Sequence, residues 1–266
     1  MAIPRILHRI WVGPEEMPAD FAAFGERWAS LHPEWEHRLW TDENLPADVQ
    51  RPEVLDQNRI PAERADVLRY ELLWRYGGVY VDADMEPLKP LDDLMGGEFF
   101  IGDLKPGRIN NAVIGSAPGH PIMETAMREA RFMVYDDPRQ APVDEIKVST
   151  GPLFLAGVVE RFSDVHTLPP AAFYPTQDAE LETAYARHHT ARTWVAFDPE
   201  QRARVLVERQ LEKTESKLRK TEVRAAKLED RVERLRADRD DLRARIEALQ
   251  GTWYGKLALR RARRKR

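Results

Sequence analysis

Apolar positions in the first 200 residues alternate between β-type runs and helical spacing. Residues 6–12 form a run rich in branched and aromatic side chains and are followed by Gly13-Pro14, which predicts a short strand that ends in a turn. Over 61–76 the apolar residues recur every three or four positions, and Gly77-Gly78 ends this pattern as a helix C-cap does. A helix is therefore predicted to lead directly into a strand at 79–81.

The same alternation continues toward residue 170. Further strands are predicted at 98–103, 112–116 and 165–168, and further helices at 120–133 and 151–163. Strands that alternate with helices are typical of an α/β fold, here with a mixed, mostly parallel sheet. Ligands in such sheets bind beyond the carboxyl ends of the strands, which is where Asp82 and Asp84 follow the strand 79–81.

The last 66 residues follow a seven-residue repeat instead. The a positions are Leu211, Leu218, Ala225, Val232, Arg239 and Ile246, and the d positions are Thr214, Thr221, Leu228, Leu235, Leu242 and Leu249. Six unbroken heptads predict a long α-helical coiled coil within 201–250. Most g-to-e′ contacts of a parallel pair would join opposite charges, so we predict a parallel homodimer through 207–249, with a single long charged helix as the alternative.

Charge is divided unevenly between these two parts. Residues 201–266 contain 22 of the 41 Lys and Arg residues but only 11 of the 45 Asp and Glu residues, although the formal net charge of the whole chain is −4. We therefore predict three segments, which are a globular domain over 1–200, the coiled coil over 201–250 and a basic amphipathic tail over 251–266.

The basic tail combines aromatic and cationic residues. Trp253 and Tyr254 precede seven Lys and Arg residues between 256 and 266, a composition that suits an anionic membrane surface. A disordered soluble tail is the alternative. Nucleic acid is not expected as a partner, because the first 200 residues are acidic and contain no nucleic-acid-binding motif.

The amino-acid composition also bears on the cellular compartment and on the possible metal ligands and nucleophiles. The chain has no cysteine, which excludes disulfides, thiolate zinc sites and cysteine nucleophiles and leaves carboxylates and imidazoles as metal ligands. Apolar runs stay short of the about 18 residues of a membrane span, and the N-terminus lacks the apolar core of a signal peptide. We therefore expect a cytoplasmic protein, peripheral on the inner leaflet of the cytoplasmic membrane.

Asp82-Ala83-Asp84 is the first feature that points to chemistry. Two carboxylates at a strand end supply the hard oxygen ligands that Mg²⁺ and Mn²⁺ prefer, and through the metal they can bind a diphosphate. A solvated turn is the alternative for an isolated triplet. A phosphatase that uses the first Asp as its nucleophile is a second alternative, but it requires Thr or Val where this chain has Glu86.

Five segments extend the pattern around this triplet. They are IPRILHRIWVG (3–13), RADVLRYELLWRYGGVYVDADMEPLKPL (64–91), INNA (109–112), TGP (150–152) and HHTARTW (188–194). In sequence and order they resemble the DXD-motif enzymes of glycosyltransferase family 32, which includes yeast α-mannosyltransferases and bacterial capsule and lipopolysaccharide enzymes and has clostridial toxin glucosyltransferases as relatives. The resemblance implies a GT-A-type nucleotide-sugar-binding domain in 1–200.

The resemblance also implies roles for individual residues. Asp82 and Asp84, together with the late His188, would bind the metal. The residues implied to bind the nucleotide-sugar donor are Trp11, which would stack on the base, Asp66 and Arg69, which would hold ribose and phosphate, and Tyr80, Asn110, Asn111 and Trp194. Asp103, near the end of a predicted strand, is a candidate acceptor contact.

Several of these residues have a simpler structural interpretation. Trp11 and Tyr80 follow or lie in apolar runs and could be core residues. The spacing of Asp66 and Arg69 also permits a surface ion pair of about 0.2–0.5 kcal/mol. His188 could have no part in the metal site, in which case His189 is the next candidate ligand.

The implied activity is that of a metal-dependent retaining hexosyltransferase. It would use Mn²⁺ or Mg²⁺ to move a hexose from a nucleotide diphosphate sugar, with UDP preferred to GDP, to a hydroxyl of a glycan or lipid-linked acceptor in envelope or capsular polysaccharide synthesis. No residue is an obvious nucleophile, so we expect a same-face reaction rather than a covalent intermediate. A catalytically silent coiled-coil scaffold and the phosphatase remain the alternatives.

Overall fold

The protein consists of two units in the computed structural model, Met1–Pro199 and Glu200–Arg266. The structure describes residues 2–134, 142–163, 165–189 and 231–248, together with a few other positions between 214 and 261. The sheets and helices with labels below lie in the first unit.

Strands and helices alternate along the described part of the first unit. In chain order, the strands are β1 (Ile6–Ile10), β2 (Glu36–Trp40), β3 (Gly78–Val81), β4 (Met85–Pro87), β5 (Phe99–Lys105), β6 (Arg108–Ser116), β7 (His166–Leu168) and β8 (Ala186–His188). The α-helices are α1 (Ala19–Leu31), α2 (Pro61–Tyr76), α3 (Pro121–Glu129), α4 (Val143–Ser149), α5 (Pro152–Val159) and α6 (Asp178–Leu181). Short 3₁₀ helices occupy Pro52–Leu55, Asp92–Leu94 and Pro170–Ala172.

The main sheet has six strands in the order β2-β1-β3-β6-β5-β7. Strand β6 runs antiparallel to its neighbours β3 and β5, and the pairs β1–β2, β1–β3 and β5–β7 are parallel, so five strands point the same way. The predicted α/β fold with a mixed, mostly parallel sheet is therefore confirmed. Strands β4 and β8 form a separate two-stranded antiparallel sheet.

The turn between α2 and β3 depends on two consecutive glycines. Gly77 ends the helix with φ of 63°, and Gly78 follows with φ of 104°, both in the region that other residues rarely adopt. A Cβ atom at Gly78 would lie 2.4 Å from the carbonyl oxygen of Ile6 on the neighbouring strand. The chain can therefore pass from the buried helix into the centre of the sheet without an intervening loop.

The pleat of β3 directs alternate side chains to the two faces of the sheet. Val79 and Val81 belong to the core cluster that includes Trp28 of α1, whereas Tyr80 belongs to the cluster formed with α2, α3 and α5. Both faces of the sheet are thus covered, as expected for a mostly parallel sheet. By the same alternation, Asp82 follows Tyr80 on the side of α2.

The predicted elements differ from the structure mainly at their ends. The helix predicted for 120–133 stops at Glu129, because Ala130 has an extended backbone with ψ of 134°. The helix predicted for 151–163 is limited to 152–159.

The sequence pattern missed α1, β2, α4, α6 and the β4–β8 sheet. Strand β2 reads EHRLW, which is too polar for a core strand and suits its position at the sheet edge.

The second unit contains a helical stretch at 231–248. Its apolar heptad positions are solvent-exposed in the single chain, with exposures of 45% for Val232, 60% for Leu235, 57% for Leu242 and 53% for Ile246. The long coiled coil that the heptads predict extends beyond the residues described and stays a prediction. None of the helices in the described ranges combines the length and the hydropathy needed to cross a membrane.

A buried histidine joins three parts of the sheet. His8 of β1 accepts a hydrogen bond at Nδ1 from Trp40 Nε1 (3.0 Å), so its Nε2 carries the proton and donates to the carbonyl oxygen of Gly77 (2.8 Å). The rings of Trp40 and Tyr76 lie near its ring, with centroids 6.1 and 6.3 Å away and 5.8 Å from each other. Burial lowers the pKa of His8 to about 4, because a charged imidazolium would lose its hydration and would face the Trp40 donor.

This pKa predicts a pH-dependent stability. The unfolded chain takes up a proton at His8 near pH 6.5 and the folded chain only near pH 4, so the His8 contribution to the free energy of unfolding should fall by about 3 kcal/mol between these values. His8→Gln keeps a donor and an acceptor but does not titrate. Urea unfolding of both proteins from about pH 7 to pH 4 should show the steeper loss in the wild type, and parallel curves would contradict the prediction.

Candidate active site

A cleft of about 390 Å³ opens beyond the carboxyl ends of β1 and β3. Nine of the residues singled out from the sequence line it: Trp11, Asp66, Arg69, Tyr80, Asp82, Asp84, Asn110, Asn111 and His188. They come from segments far apart in the chain, and the position agrees with the rule that ligands bind at this edge of an α/β sheet.

Asp82, Asp84 and His188 lie close enough to hold one metal ion. One ligand atom from each falls within 4.8 Å of the others. His188 Nε2 is 3.1 Å from Asp84 Oδ1 and 3.8 Å from Asp82 Oδ2. Two carboxylate oxygens and one imidazole nitrogen form a donor set that suits Mn²⁺ and also Mg²⁺, so the residues present fit the predicted divalent cation.

Backbone pairing brings His188 to the two aspartates. In the antiparallel ladder of β4 and β8, Met85 pairs with His188, and the amide of His189 donates to the carbonyl oxygen of Asp84 (3.1 Å). The segment that ends in His188 is therefore attached to the segment that begins at Asp84. About 100 residues separate the two segments along the chain, so the pairing is purely tertiary.

Arg69 is the central cation of the cleft. Its Nη1 donates to Asp82 Oδ1 (2.9 Å) and to the carbonyl oxygen of Asn111 (2.7 Å), and its Nη2 pairs with Asp66 Oδ1 (2.9 Å). Arg69 and Asp66 are both buried, which contradicts the alternative of a surface ion pair. The arginine is engaged by the protein itself, and its first effect is to orient Asp82.

Asp66 is held from several directions. Asn111 Nδ2 donates to its Oδ1 (2.8 Å), and Thr150 Oγ1 donates to its Oδ2 (3.0 Å). Burial raises the pKa of Asp66 to about 6, against the opposing effect of Arg69 and these hydrogen bonds. Thr150 had no role assigned from the sequence, although it belongs to the TGP segment that marked the resemblance.

Tyr80 and Asp82 form one polar unit with Arg69. The hydroxyl of Tyr80 donates to Asp82 Oδ1 (2.7 Å), and the guanidinium of Arg69 lies 4.5 Å from the centre of the tyrosine ring. Burial raises the pKa of Asp82, and Arg69 opposes this rise. Because Oδ1 is occupied by two donors, the other oxygen of Asp82 faces His188 and is the one placed for a metal.

Trp11 also lines the cleft and is only partly buried. Its Nε1 donates to the carbonyl oxygen of Glu15 (2.7 Å), and its ring contacts Phe21 edge to face. Its ring is less buried than those of Phe21 and Tyr80, which line the same cleft. The geometry therefore agrees better with a stacking surface than with core packing.

Two predicted residues are not part of the described cleft. Asp103 of β5 is buried, and its Oδ2 accepts a hydrogen bond from the amide of Gly107 (3.1 Å) in the β5–β6 hairpin, so its carboxylate stabilises that turn instead of facing the cleft. Trp194 lies outside the described residues. The cleft also contains Arg108, Lys147 and Leu153, which no sequence motif had indicated.

Comparison with known proteins agrees with this site. Residues 18–101, which include the DXD triplet, match the family model described as "Glycosyltransferase sugar-binding region containing DXD motif". The resemblance to the DXD-motif glycosyltransferases inferred from the sequence is therefore confirmed.

Fungal sphingolipid enzymes are among the relatives. The chain is 35% identical over 160 residues to "Inositol phosphoceramide mannosyltransferase 3" of Schizosaccharomyces pombe, which covers 58% of this chain and 44% of the relative. It is 32% identical over 165 residues to "Mannosyl phosphorylinositol ceramide synthase SUR1" of Saccharomyces cerevisiae, with 60% and 42% covered. The chain thus spans less than half the length of these relatives.

Solved structures also align with the chain. The structure described as "PaToxG Glycosyltransferase" aligns with 60% of this chain and 69% of its own, at 15% identity and a TM-score of 0.46.

The geometry predicts different effects for the two aspartates. Asp82→Asn and Asp84→Asn should both weaken Mn²⁺ binding, because each replaces a carboxylate ligand by a neutral amide of the same size. Asp82→Asn should also lower the free energy of unfolding by about 1–3 kcal/mol, because Arg69 and Tyr80 lose a charged acceptor. Asp84→Asn should lower it less than Asp82→Asn does, because Asp84 contacts the imidazole of His188 and not the buried guanidinium of Arg69.

Calorimetric Mn²⁺ titration and metal-free urea unfolding of the two variants separate these effects. Equal stability of Asp82→Asn and wild type would show that the Arg69 contact contributes little. Wild-type Mn²⁺ affinity in both variants would place the metal elsewhere.

Proposed function

We propose that this chain, with its DXD-containing sugar-binding region, is a metal-dependent retaining glycosyltransferase. It moves a hexose from a nucleotide diphosphate sugar to a hydroxyl of a glycan or lipid-linked acceptor. The observation that carries the proposal is the convergence of Asp82, Asp84 and His188 inside a cleft that also contains Trp11. Candidate metal ligands and an aromatic ring in one cleft suit the diphosphate and the base of a nucleotide diphosphate sugar.

Each part of the cleft has a task in this proposal. Asp82, Asp84 and His188 would hold Mn²⁺ or Mg²⁺, and the metal would supply positive charge to stabilise the leaving diphosphate. Arg69 keeps Asp82 in the orientation required for this task. Trp11 stacks on the base. Asp66, with Asn110 and Asn111 beside it, supports the ribose and phosphate end of the donor.

The carboxylates of the cleft favour a same-face reaction. Both oxygens of Asp66 accept hydrogen bonds from Arg69, Asn111 and Thr150. Its carboxylate is thus engaged by the protein and is a poor candidate for a nucleophile on the sugar. A covalent intermediate is therefore less consistent with the described cleft than a reaction in which the acceptor attacks from the side that the leaving phosphate departs from.

The names of the relatives bear on the donor and the acceptor. Two of them are named for mannosyl transfer to an inositol phosphoceramide, which supports a lipid acceptor more than a capsular polysaccharide. Mannose also makes GDP-mannose a donor to test beside the UDP sugars that the sequence resemblance favoured.

Metal-dependent hydrolysis of donor sugars tests the activity. The wild type should release nucleoside diphosphate slowly from one sugar of a panel that includes GDP-mannose, UDP-glucose and UDP-galactose, and only with Mn²⁺ or Mg²⁺. Asp84→Asn should reduce this rate at least about a hundredfold, because it removes a metal ligand and leaves the fold unchanged.

Two control assays separate the alternatives. Release of inorganic phosphate from p-nitrophenyl phosphate would identify a phosphatase. No turnover of any donor by a folded, Mn²⁺-binding protein would support the catalytically silent scaffold.

We also propose that the second unit forms a parallel homodimer through 207–249. The support is the exposure of the heptad residues Val232, Leu235, Leu242 and Ile246, which a single chain leaves in water. Opposite charges at g and e′ positions, such as Asp238 and Arg243, favour the parallel arrangement.

Paired variants of the full chain test the dimer. Leu235→Asp with Leu242→Asp places two charges at d positions and should produce a monomer, as measured by analytical ultracentrifugation. Ala237→Asp with Ala244→Asp adds the same charges at outward f positions and should remain dimeric. If both pairs of changes leave a dimer, the interface lies elsewhere.

The tail 251–266 completes the proposal as a contact with anionic membrane, which would place the enzyme at the inner leaflet of the cytoplasmic membrane. Its seven cations are each worth about 1 kcal/mol near an anionic leaflet, so binding should weaken with salt. Sedimentation with phosphatidylserine vesicles at low and high salt, with and without the tail, decides this point.

A further inference from the structure

The ladder that carries His188 is too short to hold itself in place by backbone pairing alone. Strands β4 and β8 pair at only three positions, which are Met85 with His188, Glu86 with Arg187 and Pro87 with Ala186. A two-stranded ladder of this length is marginal in water. The amides of His188 and His189 also donate to the carbonyl oxygens of Phe173 (3.2 Å) and Asp84 (3.1 Å), and side-chain contacts add to this attachment.

Glu86 supplies such contacts at the middle of the ladder. Its Oε2 accepts from Arg187 Nε (2.9 Å) and Nη2 (2.5 Å), and Arg187 is its directly opposite partner on β8. The same oxygen lies 2.9 Å from His189 Nε2, and Arg27 of α1 approaches Oε1 to 3.5 Å. We name Glu86, Arg187, His189 and Arg27 the Glu86 clamp.

The clamp lies on the face of the ladder opposite the metal ligand. Successive side chains of a strand point to opposite faces, so Arg187 and His189 flank His188 on the other side. Glu86 is not among the residues that line the cleft, and its side chain is 15% exposed. Phe24 of α1 stacks on the ring of His189 at 5.1 Å, which attaches this end of β8 to the helix.

We propose that Glu86 is a positioning residue for the metal centre, acting through His188. Its ion pair with Arg187 fixes β8 against β4, so that His188 Nε2 stays beside Asp84 and Asp82. The inference rests on the proposed function for the metal, but concerns a residue that touches neither metal nor donor. Glu86, which argued against a phosphatase in the sequence, thus has a role in positioning His188.

A purely electrostatic effect of the clamp would predict the opposite change in cation binding for the loss of Arg187. If the clamp acted only through its electric field, removal of the Glu86 charge would weaken cation binding, and removal of the Arg187 charge would strengthen it. If the clamp positions His188, removal of either partner weakens binding, because both losses release β8. The two variants therefore distinguish an electrostatic effect of the clamp from its effect on the position of His188.

Mn²⁺ titration of the full chain, followed by electron paramagnetic resonance of the free ion, tests the proposal. Glu86→Gln and Arg187→Gln should each weaken Mn²⁺ binding by about tenfold or more, the usual effect of losing a residue that orients a metal ligand. Glu129→Gln is the matched control, because Glu129 forms a similar two-bond pair with Arg161 (2.6 and 2.8 Å) outside the cleft. It should bind Mn²⁺ as the wild type does.

The same changes in a His188→Ala background show whether the effect passes through His188. There, Glu86→Gln and Arg187→Gln should have little further effect. An undiminished effect in that background, tighter binding by Arg187→Gln, or wild-type affinity of both single variants would overturn the proposal. Equal Mn²⁺ binding by the wild type and His188→Ala would overturn both this proposal and the proposed metal site. If His188→Ala weakens binding but Glu86→Gln and Arg187→Gln do not, only the positioning proposal fails.

Circular dichroism at the titration temperature confirms that each variant is folded. If Glu86→Gln does not fold, Arg187→Gln decides the question, because its side chain is 42% exposed and its loss leaves no buried charge.

Discussion

A buried guanidinium, that of Arg69, is the interaction on which the rest of the site depends. It lies between Asp66 on the same helix and Asp82 at the end of β3, and it also holds the backbone of β6 through the carbonyl of Asn111. A buried charge without partners would be strongly destabilising, so the three elements must meet at this point for the fold to form. The same contacts orient the first aspartate of the DXD triplet.

Buried ion pairs rarely add much stability compared with well-packed apolar residues. The network of Arg69, Asp66, Asp82 and Tyr80 is therefore better understood as a device for orientation. Burial raises the pKa of Asp66 and Asp82, and Arg69 acts in the opposite direction on both carboxyls. One oxygen of Asp82 is taken by Arg69 and Tyr80, which leaves the other toward His188.

The two halves of the metal site are built by different means. Asp82 and Asp84 follow β3, whose position is set by the α2 helix and the Gly77-Gly78 turn a few residues earlier. His188 lies on a three-residue strand that pairs with β4 and is joined to it by the ion pair of Arg187 with Glu86. The first half is local and rigid, and the second is a long-range contact that the surrounding ion pairs support.

Elements with a continuous apolar pattern could be predicted from the amino-acid sequence. Helix α2, strand β3 between two turn signals and the position of Asp82 and Asp84 beyond it follow from spacing and glycine placement alone. The resemblance of five segments pointed to the candidate metal ligands and to nine of the residues that line the cleft. The contacts of single side chains follow only from the folded structure. Asp103 serves a hairpin, Thr150 holds Asp66, and Glu86 pairs with Arg187, because each of these contacts joins positions whose spacing in the chain carries no periodic signal. Strands β4 and β8 escaped prediction for the same reason, since three residues are too few to show alternation, and their pairing exists only where the folded chain brings them together.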